Sequence, residues 1–412
     1  MKRRLFDVPR THSGRPVFMV LCFFASVALS AVAVSPARGE PAVRVTVVGA
    51  PQVVFRWQQD ACAPDHMPDA PARAFRDATG TVHLIASHTE NRAMVGPDLD
   101  HVRPDCRVIY RGGQRDAPEA YDDRAWLAST YTLDGTTVFA LVHNEFQGHR
   151  RPALCPAGRY MACWSNAITF ARSEDGGRTF RTPPAPGHFV AAPPYRYDGT
   201  LGRHVGLFNP TNIVKRGAHF YALVFAVRWN AQQGGVCVMR TDRLDDPHAW
   251  RAWDGQGFTV QFADPYRAKI EDPTRHVCAP VARGRLGAPV GSITLHQPSG
   301  LYVAIMAATQ PTERGTDPVS GIFASFSADL IQWSRPVLVL ATPILGRDNC
   351  APALLGFPSL LDPDSTSRNF ETTDGDAFIY ATRFNLDGCN IGRNRDLIRL
   401  PVRITVEPDR QR

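Results

Sequence analysis

Several apolar runs in this chain of 412 residues stop at a charged or polar side chain. Val82-His83-Leu84-Ile85-Ala86 is followed by His88 and Glu90, and Val138-Phe139-Ala140-Leu141-Val142 by His143 and Glu145. Later runs end near Arg228, Gln310 and Arg383. A second polar set precedes such runs: Asp69 before Pro71-Ala72-Arg73-Ala74-Phe75, Asp122 and Asp123 before Arg124-Ala125-Trp126, and Asn209 before Pro210. Two carboxyl groups, one protonated and one ionised, can break a glycosidic bond. One protonates the leaving oxygen, and the other activates water or attacks the sugar carbon. In that scheme Glu145 and Asp69 are the candidate pair, with Asp123 a third carboxylate of the set. His88 and His143 would bond sugar hydroxyls, and Trp126 or Trp229 would stack on a ring. Glu90, Asn209 and Gln310 complete the polar set, and Arg73, Arg228 and Arg383 suit an acidic sugar. Plainer roles compete for the same residues: a salt bridge for Glu145, a turn for Asp69, rim hydrogen bonds for the histidines and packing for the tryptophans.

The elements that would carry these residues are short strands in pairs. Five hairpins share one plan, an apolar strand, a Gly-containing turn and a second apolar strand with a polar end. They turn at Asp77–Gly80, Asp134-Gly135, Lys215–Gly217, Pro298–Gly300 and near Asp374-Gly375. Further strands are expected at Arg107–Tyr110, Ala167–Arg172, Gly235–Arg240, Gly321–Phe326 and Asp396–Ile404. After one of them stands Ser173-Glu174-Asp175-Gly176-Gly177-Arg178-Thr179-Phe180. Ser and Asp side chains can cap backbone N–H groups within such a turn, and the aromatic residue starts the next strand. Looser echoes occur at Thr241–Trp253 and Ser327–Ser334. Repetition at this wide period suggests radial sheets, hence an all-β, five-bladed β-propeller. The strands near Val43–Val48 and Leu397–Val406 would complete one blade together. A six-bladed propeller and a β-sandwich are the alternatives. In a blade, the start of the first strand and the end of the second lie on one face, so the polar set would converge on one funnel.

The Ser173–Phe180 segment closely resembles the Asp-box of sialidases and related propellers, with Phe in place of the usual Trp. Five blades with carboxylates at inner-strand starts resemble the arabinanase, β-xylosidase and levansucrase type of glycosidases. That resemblance implies an Asp base at the start of blade 1, matched by Asp69, and a second Asp in blade 2, matched by Asp123. It also implies a Glu acid in blade 3. Blade 3 begins Phe208-Asn209-Pro210, without one, and Glu145 of blade 2 is the substitute. Sialidases use six blades and three arginines. Phe55-Arg56 is similar to their Phe-Arg-x-Pro start, but the Pro is missing.

Composition is globular, with 44% hydrophobic and 21% charged residues. Lys2, Arg3, Arg4, Arg10 and Arg15 precede an apolar run from Val17 to Val34, with small residues at Ala31-Val32-Ala33 and a second cleavage option at Ala37-Arg38-Gly39. This reads as a signal peptide over 1–33, or to 39, leaving one propeller domain over 43–406 in a secreted or periplasmic protein. An uncleaved membrane anchor is the alternative. Removing five basic residues and Asp7 lowers the formal charge from +7 to +3. No basic, aromatic-interleaved surface remains for nucleic acid. The eight remaining cysteines suggest disulfides; the pairs by proximity are Cys62–Cys106, Cys155–Cys163, Cys237–Cys278 and Cys350–Cys389. No Cys-x-x-Cys, phosphate loop, His-Glu-x-x-His or Gly-x-Ser-x-Gly occurs, and neither metal nor cofactor is expected. The functional expectation is a carbohydrate-active hydrolase. A non-catalytic glycan- or protein-binding propeller is the rival, and a glycoside phosphorylase or sialidase-like enzyme is a further one.

Overall fold

The computed structural model describes residues 42–86, 88–312, 315–347 and 350–407. The expected signal segment, residues 1–33 or to 39, and Cys22 within it lie outside the described residues. Alternation sets the architecture. On the strand His219–Ala226, Phe220, Ala222 and Val224 enter one apolar layer while Tyr221 and Leu223 enter the next. On Leu301–Thr312, Tyr302, Ala304 and Met306 face one way and Val303 and Ile305 the other. A strand that buries both faces needs a sheet on each side. Repeated around the chain, this gives five apolar layers, each shared by two neighbouring blades. The fifth joins Ala72, Leu84 and Met94 of the first blade to Leu361, Tyr380 and Leu397 of the last, which closes the ring.

Blade 1 comprises Arg73–Arg76, Val82–Ile85, Met94–Gly96 and Arg103–Pro104. Blade 2 comprises Arg124–Thr132, Val138–Gln147, Trp164–Ser173 and Phe189–Ala191. In blade 3 the hairpin Val214–Arg216 and His219–Ala226 leads to Gly235–Thr241, Arg251–Trp253 and Phe258–Val260. Blade 4 comprises Val290–His296, Leu301–Thr312, Gly315–Ser327 and Val337–Ala341. Blade 5 comprises Ala353–Leu361, Asp376–Asn385 and Arg395–Glu407, and Ala42–Val47 completes it antiparallel to the last strand, Val43 opposite Val406. The molecule is thus a five-bladed β-propeller whose two chain ends share one blade.

Two details depart from the sequence expectation. The strand expected at Arg107–Tyr110 shrinks to Tyr110–Arg111, paired with Glu90–Asn91, and Met94–Gly96 with Arg103–Pro104 completes blade 1 instead. Met94, Leu99 and Val102 win because they fill the layer against blade 5. In addition, Val205–Phe208 runs parallel to Trp164–Ser173 and fuses blades 2 and 3 into one ten-stranded sheet. Gly206 permits this approach: it has φ +117°, and a Cβ there would lie 2.1 Å from the Asn166 carbonyl oxygen.

Polar side chains tie the inner strands around the axis. Asn91 Oδ1 accepts from the Leu127 N–H at 2.8 Å, Asn212 Oδ1 from the Ile293 N–H at 2.9 Å, and Ser292 Oγ from the Leu360 N–H at 2.8 Å. Arg73, buried, donates to the carbonyl oxygens of Ala128 at 2.6 Å, Ala72 at 3.1 Å and Pro210 at 3.1 Å, so its guanidinium spans the inner strands of three blades. Burial lowers its pKa to about 9, which leaves it charged at neutral pH but committed to the frame rather than to a sugar.

The lower end of the axis is covered by the segment between Leu361 and Asp376. Arg76 of blade 1 donates to the Ser365 and Ser367 carbonyls, both at 2.9 Å. Asn369 brackets the Thr132 backbone of blade 2, accepting at 2.8 Å and donating at 3.0 Å. Glu371 accepts from Tyr131 Oη at 2.9 Å and from the Lys215 N–H of blade 3 at 2.7 Å, and Leu295 of blade 4 donates its N–H to the Glu371 carbonyl at 2.9 Å.

The outer turn after the third strand of blade 2 is knitted as its sequence requires. Ser173 Oγ accepts from the Gly177 N–H at 2.8 Å, Asp175 holds the Thr179 N–H at 2.9 Å and Thr179 Oγ1 at 2.7 Å, and Phe180 is buried. All four expected disulfides are formed, and every one ties chain at the upper ends of strands. Such bonds persist in oxidising compartments.

Candidate active site at the propeller mouth

At the upper mouth, blade 1 supplies Asp69 and His88. The Asp69 N–H donates to the Ala86 carbonyl at 3.0 Å, which fixes the aspartate beside the end of the second strand. One carboxylate oxygen pairs with Arg395, the first residue of the last strand of blade 5, and the other lies 3.5 Å from His88 Nε2. Burial is the largest influence on this carboxyl and pushes it above the usual aspartate range. Arg395 and His88 pull it down, and the charge of Glu145 pushes it up. The charge of Glu145 is thus near enough to oppose ionisation of Asp69.

Blade 2 supplies the opposite side. Its first two strands set Arg124 opposite Glu145 and Trp126 opposite His143. Glu145, buried, accepts from His143 Nε2 at 3.0 Å and from Gln147 Nε2 at 2.8 Å. His143 Nδ1 accepts the Asn209 N–H at 3.3 Å, and its Nε2 faces both Glu145 Oε1 at 3.0 Å and Asn166 Nδ2 at 3.2 Å. Asn209 makes this contact from φ +28°, a conformation that Asn tolerates better than most residues. The Trp126 ring stands 5.7 Å from both the His88 and the His143 ring. Asn166 Oδ1 is buried here without a donor of its own. Trp126 is near enough to Asp69 to help lower its pKa. Asn166 pairs across the sheet with Glu145.

Other expected site residues lie elsewhere or are committed. Asp123 is buried at the start of blade 2, where one oxygen accepts from Arg151 at 2.8 Å and from the Gln147 N–H at 3.0 Å. It therefore holds the backbone of the residue that holds Glu145. Glu90 is clasped by Arg92 at 2.8 Å and by Arg111, outside the four strands of its blade. Arg383 pairs with Asp396 at 2.7 Å. Burial opposes ionisation of Asp396, but hydrogen bonds from Arg383, Asn385 and the Trp57 N–H outweigh it and hold the carboxyl below its usual range. Arg228 is exposed beyond the second strand of blade 3, Gln310 lies towards the upper end of the second strand of blade 4, and Trp229 is buried against Tyr195.

Beside the carboxylates is a cavity of about 180 Å³, lined by Pro71, Asn209, Val290, Leu345, Phe357 and Pro358 among others. The mouth thus has a charged wall from blades 1 and 2 and an apolar wall from blades 4 and 5. The larger cavity, about 750 Å³, lies at the outer edge beside Asp175 and Thr179 and contains none of the expected site residues. Among the described residues, no group of three His, Cys, Asp or Glu side chains could hold a metal ion.

Sequence reasoning missed three contributors. Arg395 looked like one more residue before a strand; only closure of blade 5 against blade 1 brings it to Asp69. Gln147 and Asn166 carried a readable signal, since Gln147 continues the alternation His143–Glu145–Gln147 and Asn166 opens the next strand.

No family model and no curated protein matches this sequence. Among solved structures, the chain is similar to an endo-arabinase from Bacteroides thetaiotaomicron, at 10% identity over 87% of this chain and 99% of that one, TM-score 0.46. It is also similar to an α-L-arabinanase from Cellvibrio cellulosa complexed with arabinohexaose, at 11% identity over 81% and 91%, TM-score 0.41. A xylan β-1,4-xylosidase from Bacillus halodurans gives 10% identity over 81% and 53%, TM-score 0.42. What this chain shares with such glycoside hydrolases is the architecture of the propeller.

Proposed function

We propose that this chain is an exported glycoside hydrolase acting at the upper mouth of the propeller. The observation that carries the reading is that two blades place Asp69 and Glu145 at the two ends of one short run of contacts: Asp69 lies 3.5 Å from His88, the Trp126 ring stands 5.7 Å from both the His88 and the His143 ring, and His143 meets Glu145 at 3.0 Å. Asp69 serves as base or nucleophile. Burial makes it more basic than a solvated aspartate, while Arg395 favours its ionised form. Glu145 serves as acid and is oriented by His143 and Gln147. Asp123 acts at one remove, through Arg151 and the Gln147 backbone. His88, Trp126 and Asn166 offer polar atoms to sugar hydroxyls, and the wall of Val290, Leu345 and Phe357 takes the less polar face of the ring.

The test is turnover of a panel of aryl glycosides and soluble polysaccharides by wild type, Glu145→Gln and Asp69→Asn. Hydrolysis by wild type, lost in both variants while the fold is retained, is the expected result. Equal turnover in wild type and Glu145→Gln would remove the pair. A second reading is a non-catalytic glycan-binding propeller. It is favoured by the Arg395 pair already occupying Asp69 and by the lack of a carboxylate at the start of blade 3. Sugar binding without turnover would select it.

A further inference from the structure

Outside the carboxylate pair, one aromatic side chain is placed where packing does not explain it. Tyr160 is 71% exposed, yet its loop is among the most firmly fastened parts of the mouth. Cys155–Cys163 closes the loop, and both cysteines are buried with Ala162 against Tyr197. Tyr197 Oη donates to the carbonyls of Leu154 at 3.0 Å and Cys163 at 3.2 Å, and the Gly148 N–H donates to the Cys163 carbonyl at 3.1 Å. Met161, next to Tyr160, is held at φ +61°, a strained conformation for that residue.

Beneath the exposed ring lies a second aromatic layer. Trp164 meets Tyr160 edge-on at 4.9 Å and lies nearly parallel to His149 at 5.9 Å, with Nε1 donating to His149 Nδ1 at 2.8 Å. Trp164 is also the cross-strand partner of Gln147, which holds Glu145 at 2.8 Å. Contacts therefore run without a break from the carboxylate to the exposed ring.

We propose that Tyr160, backed by Trp164 and His149, is the stacking platform for a second sugar ring, so that the mouth binds an oligosaccharide rather than a single residue. It rests on the reading of the mouth as a sugar site. A flat aromatic face matches the C–H face of a sugar, and a disulfide-closed loop loses little freedom when the ring docks. The apolar wall and the charged pair would hold the terminal ring, and the next ring would lie against Tyr160.

The experiment is calorimetric titration of the full chain with monosaccharides and with six-residue fragments of arabinan, xylan, levan and polygalacturonate. At least one hexamer is expected to bind, and Tyr160→Ala to weaken it about 10-fold, a factor typical of one lost ring contact. Tyr160→Phe should bind within about two-fold of wild type, and the loss in Tyr160→Ala should be at least about five-fold greater for the hexamer than for its monosaccharide. Failure of every hexamer to bind wild type, equal binding by Tyr160→Ala, or an equal loss on hexamer and monosaccharide would each overturn the platform. Hexamer binding that depends on Tyr160 without hydrolysis would refute the hydrolase and keep the platform. Hydrolysis with unchanged binding by Tyr160→Ala would do the reverse.

Discussion

The two ends of the propeller axis are built on opposite principles. At the lower end, one segment from blade 5 crosses to blades 1, 2, 3 and 4, and its polar groups meet partners: Asn369 on Thr132, Glu371 on Tyr131 and Lys215, Arg76 on Ser365 and Ser367. At the mouth, Asp123 Oδ1, Arg124 Nε, Asn144 Nδ2 and Asn166 Oδ1 are buried without partners; lower on the inner strands, so are Thr130 Oγ1 and Ser359 Oγ. A buried polar atom left unsatisfied costs about 1–3 kcal/mol. More of that cost lies at the upper ends of the blade 2 strands, where a ligand would relieve it, while the floor segment carries the network that links the blades.

Exchanging the roles of the two ends in mutants would break this comparison. The largest expected effect is at the mouth. Glu145→Gln and Asp69→Asn should each lower kcat by about 10²–10⁴-fold while thermal unfolding barely moves; a large fall in Tm would mean that these carboxylates support the fold instead. On the floor the pattern reverses. Asn369→Ala strips partners from the Thr132 N–H and carbonyl, and should cost about 2–4 kcal/mol in denaturant unfolding with kcat unchanged below the melting range. The double change Cys155→Ser with Cys163→Ser opens a short loop and should cost about 2–3 kcal/mol, with weaker hexasaccharide binding as its functional mark.

The smallest effect is a difference in pH dependence. Burial raises the Glu371 carboxyl in the folded protein, so the fold binds that proton more tightly than the unfolded chain does. Its stabilising contribution is full at low pH and is lost as pH rises from the ordinary glutamate range through the raised value. Asp396 at the mouth is depressed, so its contribution is present above the ordinary aspartate range and is lost as pH falls through the lowered value. Unfolding titrations from acid to neutral pH should show Glu371→Gln flattening the first slope and Asp396→Asn the second. Slopes that match wild type would detach both groups from stability.

The sequence pattern was informative where physics is local. The short, continuous apolar runs Phe220–Ala226 and Tyr302–Met306 fit strands buried on both faces, and Gly-containing turns placed the hairpins. The Ser173–Phe180 turn was legible because its hydrogen bonds join residues two to four apart. Met94–Gly96 was missed because a three-residue strand has too little alternation to read, and only the space against blade 5 selects it.

Residue order alone pointed to the radial repeat, to closing of the ring by the chain ends and to one cysteine pairing by proximity, since periodicity, count and spacing are read along the chain; which of the possible pairings forms was left to the fold. It also brought Asp69, Glu145, His88 and His143 to the polar ends of their strands. The tertiary structure decided which of those ends face one another. Arg395 reaches Asp69 across about 326 positions of sequence, and the floor segment touches four blades. Those choices depend on the angle and depth at which neighbouring sheets pack, and on which charges burial forces into pairs. No spacing along the chain encodes either one.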